Sequence, residues 1–131
     1  QAPMTSAIDS ITFDAHDPYA QSLFWAQVLG GYAEDPADPN FPDDPMAMLK
    51  GPAGQPNLLF IPVPEGKVVK NRVHLDIQPT DSSRDEEVYR LLRIGATLVE
   101  DLRATDGTGW AVMADPEGNE FCVERSKAER A

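Results

Sequence analysis

The chain has 131 residues, of which 41% are hydrophobic, and its formal net charge at pH 7 is −11. These values indicate a globular protein and argue against nucleic acid or an anionic membrane as a partner, because both need a basic protein face. A single cysteine, Cys122, excludes an internal disulfide and is typical of a reducing cytoplasm, and no apolar run is long enough to span a membrane.

The first predicted elements are a strand and a helix. Residues 9–15 alternate apolar and polar side chains, which predicts a strand with one face towards a core. The polar face of this strand carries Ser10, Thr12 and Asp14. Residues 19–29 place apolar side chains at helical spacing, and Gly30 follows where a left-handed residue would cap the helix.

A loop and two further strands complete the first half. Residues 34–45 combine four prolines with acidic side chains, which predicts either a flexible lid or an acidic connector. Two extended runs, residues 46–50 and 57–61, flank a glycine and proline turn. Two methionines, Met46 and Met48, lie in or near the first of these runs and either line a ligand site or fill gaps in the core.

The second half begins by repeating the first strand. Residues 71–78 alternate again, with Val73, Leu75 and Ile77 predicted to face the core. The opposite face carries Arg72, His74 and Asp76. Shifting the chain by 62 residues aligns the polar residues of the two strands, so that Ser10 falls on Arg72, Thr12 on His74 and Asp14 on Asp76, and it aligns Phe60 with Cys122.

The repeat continues to the end of the chain. Residues 85–94 read as a helix ending at Gly95, and two extended runs, residues 110–114 and 119–124, flank a second turn. Each helix is also followed by a short segment that ends in a glutamate, Glu34 or Glu100, which we count as a strand. We therefore predict two copies of strand, helix and three strands, giving eight strands in all. The predicted modules are residues 6–64 and 71–126, joined by a linker over residues 65–70.

Three segments carry a resemblance to a known family: Phe24-Trp25 before Val28-Leu29-Gly30, Val73-His74-Leu75-Asp76, and Asp115-Pro116-Glu117-Gly118-Asn119. In register with the duplication, they resemble the vicinal-oxygen-chelate superfamily of glyoxalases, bleomycin resistance proteins and dioxygenases. The chain is most similar to its small actinobacterial glyoxalase-like members. The resemblance implies an α+β fold in which two tandem βαβββ modules form a curled mixed sheet with a central cleft, and it implies a homodimer.

The resemblance also implies where a divalent metal would bind. Its ligand positions fall on Ser10, Phe60, Arg72 and Cys122, and none of these is a carboxylate or an imidazole. We therefore expect no resident cofactor, although His74 and Asp76 could hold a divalent cation weakly. The alternative is that Arg72 and Asp76 form a charge pair with His74 hydrogen-bonded between them.

Three functions remain open from the sequence. The favoured one is a metal-free small-molecule binding protein of the resistance or sequestration type, in the cytoplasm. The second is a metal-dependent lyase, isomerase or dioxygenase of the glyoxalase type. In the third, a metal-free lyase or isomerase, His74 oriented by Asp76 is a general base and Arg72 holds an oxyanion.

The expected ligand is a planar molecule whose anionic or hydrogen-bonding group meets Arg72, with Trp110 as a wall. Trp110 could equally pack under the preceding turn, and Cys122 could simply fill a buried space. The predicted ligand-binding residues are Ser10, Thr12, Asp14, Phe60, Arg72, His74, Asp76, Trp110, Met113 and Cys122.

Overall fold

The computed structural model describes residues 4–131, which form two compact units. The first unit ends at Gly66 and the second begins at Lys67, a boundary that lies within the predicted linker. Within residues 4–131, no helix is both long enough and apolar enough to cross a membrane.

The first unit is a three-stranded sheet with one helix. Its elements are β1 (Ser10–Ala15), α1 (Pro18–Val28), β2 (Ala47–Leu49) and β3 (Asn57–Pro62). The strand order is β1-β3-β2, with β1 parallel and β2 antiparallel to β3. Asp17 caps α1 by accepting a hydrogen bond from the Ala20 amide at 3.1 Å, and Pro18 opens the helix, where its missing N–H costs nothing.

Aromatic side chains form the core of this unit. The ring of Phe13 lies 5.4 Å from that of Trp25 and 5.3 Å from that of Phe60, measured between centroids. Trp25 and Phe60 are both fully buried. The predicted apolar face of β1 is confirmed, and Trp25 of α1 packs against it in the core.

The second unit is a four-stranded sheet with one principal helix. Its elements are β4 (Asp76–Ile77), α2 (Arg84–Arg93), β5 (Thr97–Asp101), β6 (Ala111–Ala114), β7 (Glu120–Val123) and α3 (Lys127–Arg130). The strand order is β4-β7-β6-β5, and only the β4–β7 pair is parallel. Ser83 and Glu86 form a capping box that starts α2. Together the two units are a mixed α+β fold with two open sheets.

The predicted count of eight strands is wrong, because seven strands form in residues 4–131. The missing one is the strand expected after α1, where Ala33 makes only an isolated bridge to Lys50. The loop that follows is rich in proline, which cannot donate to a strand ladder. Its structure comes instead from Asn40, whose side-chain amide bonds both the N–H and the C=O of Met48 at 3.0 and 2.9 Å.

The predicted strand over residues 71–78 is also too long. Only two of its residues form β4, and Val73, predicted to face the core, is 81% exposed. The reason is that the chain before β4 is tied to a side chain: the carboxylate of Glu120 accepts hydrogen bonds from the Asn71 amide and from Lys67. The predicted cap is misplaced as well, since Gly31 and not Gly30 has a positive φ, whereas Gly95 after α2 has one as predicted.

The turn between β6 and β7 forms as the sequence predicts. The buried carboxylate of Asp115 accepts hydrogen bonds from the amides of Glu117 and Asn119 at 3.0 and 2.9 Å, while Gly118 takes a φ of +92°. Because the Asp115 carboxylate accepts hydrogen bonds from the backbone amides of its own turn, it fixes the residue at which β7 begins.

Candidate functional site

The pairing of the strands places a set of polar and aromatic residues on one face of the second sheet. Cys122 lies beside Asp76 on β4 and opposite Val112 on β6, and Val112 lies opposite Glu100 on β5. Side chains alternate along a strand, so the residues two positions further on share the same face. We call the following residues the outer face: His74, Asp76, Glu100, Trp110, Val112, Cys122 and Glu124.

The opposite face of the sheet is the core of the unit. Met113, Phe121 and Val123 are buried there together with Val88 and Leu91 of α2. The outer face is therefore the one that the helix leaves uncovered. Glu120, two residues before Cys122 on β7, follows the same alternation, but it lies at the end of the strand and is paired with Lys67.

A cluster of three different donors lies at one side of the outer face. The Nδ1 atom of His74 is 3.3 Å from Oδ1 of Asp76 and 3.8 Å from Sγ of Cys122. One donor atom from each residue lies within 4.8 Å of the others. Cys122 is buried, whereas the side chains of His74 and Asp76 are 39% and 58% exposed, so the cluster is open to a ligand from solvent.

The thiol of Cys122 is a poor nucleophile in this setting. Burial raises its pKa to about 11, and the neighbouring Asp76 carboxylate adds to the shift because it disfavours a second negative charge. At neutral pH the thiol is therefore protonated. Only the thiolate form of a cysteine attacks electrophiles. Nucleophilic catalysis by Cys122 is therefore not supported.

The imidazole of His74 is held in an orientation that suits acid–base chemistry. A proton on Nδ1 can be donated to Asp76 at 3.3 Å. That tautomer leaves Nε2 with its lone pair, so it could accept a proton from a bound molecule. The contact with Asp76 agrees with the predicted hydrogen bond of His74.

A nearly buried ion pair secures the chain that leads to His74. Lys67 Nζ is 2.9 Å from the Glu120 carboxylate, and the two side chains are 17% and 13% exposed. Burial alone would raise the pKa of Glu120, but hydrogen bonds from the Asn71 amide and from Lys67 outweigh it and lower the pKa. Glu120 stays ionised and fixes residues 67–71 ahead of His74.

An open cavity of about 670 Å³ adjoins the outer face. It is lined by two carboxylates that belong to the outer face, Asp76 and Glu124, and by two cations of α3, Lys127 and Arg130. This volume lies in the range of small-molecule sites. The cavity offers charges of both signs beside the donor cluster.

The turn before β6 fixes the position of Trp110. Arg84, at the start of α2, is only 4% exposed, and its guanidinium donates to the carbonyls of Gly107, Thr108 and Gly109 at 3.1, 2.8 and 2.9 Å. Trp110 follows directly and accepts a hydrogen bond from the Leu102 amide at 3.0 Å. Its side chain is 40% exposed, so the indole can contact a ligand.

Of the predicted residues of the first unit, three share one face and one does not. Ser10, Thr12 and Asp14 alternate on β1, away from Phe13. Phe60 lies on the core face beside Phe13, so it is not a ligand contact. The predicted match of Phe60 to Cys122 is wrong by one residue, because Asp14 pairs with Ile61 where Asp76 pairs with Cys122.

In the second unit, His74, Asp76, Trp110 and Cys122 lie on the outer face, and the other two predicted residues do not. Met113 is fully buried on the core face of the sheet. Arg72 precedes β4, so strand alternation does not fix its direction. Asp76 is hydrogen-bonded to His74, and the predicted charge pair between Arg72 and Asp76 does not form within the described chain.

Sequence reasoning missed Glu100, Val112 and Glu124. Val112 and Glu124 could have been found, because each lies two positions from a predicted site residue, Trp110 or Cys122, on the same strand. Glu100 needed the register between β5 and β6, which a bulge between Leu98 and Glu100 shifts.

The donor cluster bears on the metal that the fold family implies. His74, Asp76 and Cys122 offer nitrogen, oxygen and sulfur, a set that suits a borderline cation such as Zn²⁺ better than Mg²⁺ or Ca²⁺. Of the four metal-ligand positions expected from the sequence, only Cys122 belongs to this cluster. His74, Asp76 and Cys122 are thus the residues that would hold a metal, which would act as a Lewis acid for a bound oxygen.

Several solved structures have the same fold as this chain at low sequence identity. A glyoxalase/bleomycin resistance protein/dioxygenase family enzyme from Burkholderia phytofirmans is 20% identical with a TM-score of 0.66, covering 90% of this chain and 97% of its own. A mutant of the fosfomycin resistance protein FosX from Listeria monocytogenes, complexed with Mn(II), is 16% identical with a TM-score of 0.67, covering 97% and 98%.

A glyoxalase-related enzyme from Fulvimarina pelagi is 17% identical with a TM-score of 0.61, covering 92% of this chain and 88% of its own. At these identities the likeness shows the fold alone. No curated protein sequence gives a significant match. The model of the glyoxalase-like domain matches residues 10–124. The chain therefore belongs to the glyoxalase-like family of the vicinal-oxygen-chelate superfamily.

Proposed function

We propose that the protein binds a small organic molecule on the outer face of its second unit, for resistance or sequestration, and needs no resident metal to do so. The observation that carries the proposal is that an exposed indole and several carboxylates share this face. Trp110 directly precedes β6, two residues before Val112. Asp76 lies on β4 and Glu100 on β5, and Glu124 directly follows β7. An apolar surface with a few placed polar groups is the usual composition of such a site.

The charges of the outer face favour a particular kind of ligand. Three carboxylates, those of Asp76, Glu100 and Glu124, share this face, so a planar molecule with a basic or hydrogen-bond-donating group suits it best. Such a group would meet Asp76 or Glu124 while the ring stacks on Trp110, which also attracts cations. The anionic ligand inferred from Arg72 is less favoured, because Arg72 precedes β4 and strand alternation does not place it on the outer face.

The test is a thermal-shift screen followed by calorimetry on the hits. The screen compares planar aromatic amines and amidines with uncharged and carboxylate analogues of the same shape. We expect the cationic series to bind, and Trp110→Ala and Asp76→Asn each to weaken binding at least about tenfold, equivalent to about 1.4 kcal/mol. Tyr89→Ala, another exposed aromatic, and Asp81→Asn, another exposed acid, are the matched controls and should bind normally.

Two results would count against this proposal. One is selective binding of the carboxylate series. The other is a hit whose affinity ignores both Trp110→Ala and Asp76→Asn, since that ligand would lie elsewhere on the protein.

A second candidate function is a lyase or isomerase reaction, favoured by the contact between His74 and Asp76. His74 would remove a proton from the bound molecule through Nε2, and Asp76 would stabilise the resulting imidazolium. A ligand from the screen that is converted by the wild type but not by His74→Gln would select this function. A ligand recovered unchanged would select binding alone.

We also propose that the protein is a cytoplasmic homodimer that does not bind nucleic acid or membrane. Every residue of the edge strand β5 is exposed, including Leu98 and Val99, and an uncovered edge is a natural site for a second copy. Light scattering at micromolar concentration should give twice the monomer mass of 14.3 kDa. A measured mass equal to that of the monomer would contradict the proposed homodimer.

A further inference from the structure

We propose that the small molecule bound by the outer face is a zwitterion, and that its anionic group binds between Lys127 and Arg130 of α3. Its basic group meets Asp76 or Glu124, as in the proposed function. This inference rests on that function and adds a second subsite to it. The observation that carries it is that carboxylates and cations line one cavity without neutralising each other.

Four charged side chains line the cavity of about 670 Å³ beside the outer face, and they are Asp76, Glu124, Lys127 and Arg130. Asp76 is hydrogen-bonded to His74. Within the described part of the chain, neither Glu124 nor either of the two cations takes part in an ion pair. The opposite charges of the cavity wall are therefore available to a molecule that itself carries charges of both signs.

The guanidinium of Arg130 is held by two neutral groups. Its Nη2 donates a hydrogen bond to the side-chain oxygen of Gln78, which lines the same cavity. Its Nε donates to the carbonyl oxygen of Ser126 at 3.5 Å. These contacts orient the guanidinium but do not cancel its charge. Because arginine presents several N–H donors in a planar fork, donors remain for a carboxylate of the ligand.

The helix that carries the two cations is anchored to the rest of the second unit. A helix of four residues is not stable by itself and needs contacts from outside. Ser126 and Glu129 form a capping box at its start. The Glu129 carboxylate also accepts a hydrogen bond from the Arg84 amide at 2.7 Å, which ties α3 to the start of α2. The cations therefore lie on a positioned element of the cavity wall.

The charge of the whole chain favours a zwitterion over a simple anion. The formal net charge of −11 repels a free anion as it approaches the protein. A zwitterion has no net charge, so it is not repelled in this way. Once it is bound, its anionic group lies in contact with Lys127 and Arg130, where salt screens the attraction far less than it screens distant charges.

The test uses three probes that share one benzene ring and titrates each into ¹⁵N-labelled protein, with the affinity measured by nuclear magnetic resonance. The probes are para-(aminomethyl)benzoate, a zwitterion, para-(aminomethyl)benzamide, a cation of the same shape, and para-methylbenzoate, an anion. We expect the zwitterion to bind at least about tenfold more tightly than the amide, because its carboxylate gains charged hydrogen bonds. The anion should bind most weakly. The biphenyl homologues repeat the comparison with a longer spacing between the charges.

Variants of α3 locate the anion subsite. Lys127→Gln and Arg130→Gln should each lower the affinity for the zwitterion about tenfold and that for the amide much less. Arg130→Lys keeps the charge and should recover most of the preference, which separates loss of charge from disturbance of α3. Arg93→Gln changes an exposed arginine of α2 that does not line the cavity, so it is the matched control and should bind the probes as the wild type does.

The outcomes distinguish this inference from the function on which it rests. Equal affinities for the zwitterion and the amide, both weakened by Trp110→Ala and Asp76→Asn, would overturn the inference and leave the proposed function standing. A preference for the zwitterion that persists in Lys127→Gln and Arg130→Gln would also overturn the inference. Binding of none of the probes, on either scaffold, would overturn both.

Discussion

Replacing Arg84 by alanine should lower the free energy of unfolding by about 3 kcal/mol, because three carbonyls of a partly buried turn lose their donor, at about 1 kcal/mol or more each. The guanidinium itself is 4% exposed, and no water can easily replace it. Urea denaturation monitored by circular dichroism would measure the change. Since the turn leads into Trp110, binding of the small-molecule ligand should weaken as well.

Arg93→Ala is the matched control for this prediction. Arg93 lies at the exposed end of the same helix and stacks over the ring of Tyr89 at 5.8 Å. Its loss should change the unfolding free energy by less than about 1 kcal/mol. Equal effects of the two substitutions would mean that Arg84 does not anchor the turn.

Replacing Gly109 by alanine should lower the free energy of unfolding by as much as Arg84→Ala does, or by more. A Cβ atom there would lie 2.0 Å from the carbonyl oxygen of Leu102, and the φ of +86° already disfavours any side chain. The backbone of β6 or of the segment after β5 must move, so we expect a loss of about 3 kcal/mol or more.

Gly107→Ala separates backbone strain from steric overlap. Its φ is +92°, but no atom lies within 4 Å of an added Cβ. Only the left-handed conformation is penalised there, so the loss should be about 1–2 kcal/mol. A melting experiment in which the two alanine variants are equally stable would show that the close approach at Gly109 is not a constraint.

The fold was largely predictable from the sequence because most elements of both units follow from short-range sequence patterns. Alternation over β1 and helical spacing over α1 and α2 are signals within ten or so residues, and Asp115 carries its own turn chemistry. These features depend on neighbouring residues alone. Trp25 is buried on a face of α1 that also buries the polar side chains of Gln21 and Ser22.

The site was only partly predictable because it depends on register. His74, Asp76, Trp110 and Cys122 were named from strand phase and family resemblance, and the structure brings them to one face. A constant shift of 62 residues between the halves failed at β3, where the two units pair one residue differently, so Phe60 was assigned to the wrong face. Nothing local marks Arg84 as an anchor of the turn, because the carbonyls it binds lie over 20 residues away in the chain.

Val73 illustrates a second limit of sequence patterns. It continues the alternation of Leu75 and Ile77, but the chain there is drawn away from the sheet by the pair of Lys67 and Glu120. A side chain 49 residues distant, at Glu120, binds the Asn71 amide that a strand ladder would have used. Periodicity cannot detect a competing long-range hydrogen bond.

The two indole groups allow the central claim, that small molecules bind on the outer face, to be tested in one measurement. Trp110 is 40% exposed on that face, whereas Trp25 is 1% exposed in the core of the first unit. A ligand from the thermal-shift screen is titrated into ¹⁵N-labelled protein while the two indole N–H signals are followed by nuclear magnetic resonance. The account predicts a saturable shift of the Trp110 signal with the Trp25 signal unchanged, whereas saturable binding that leaves the Trp110 signal in place would contradict it.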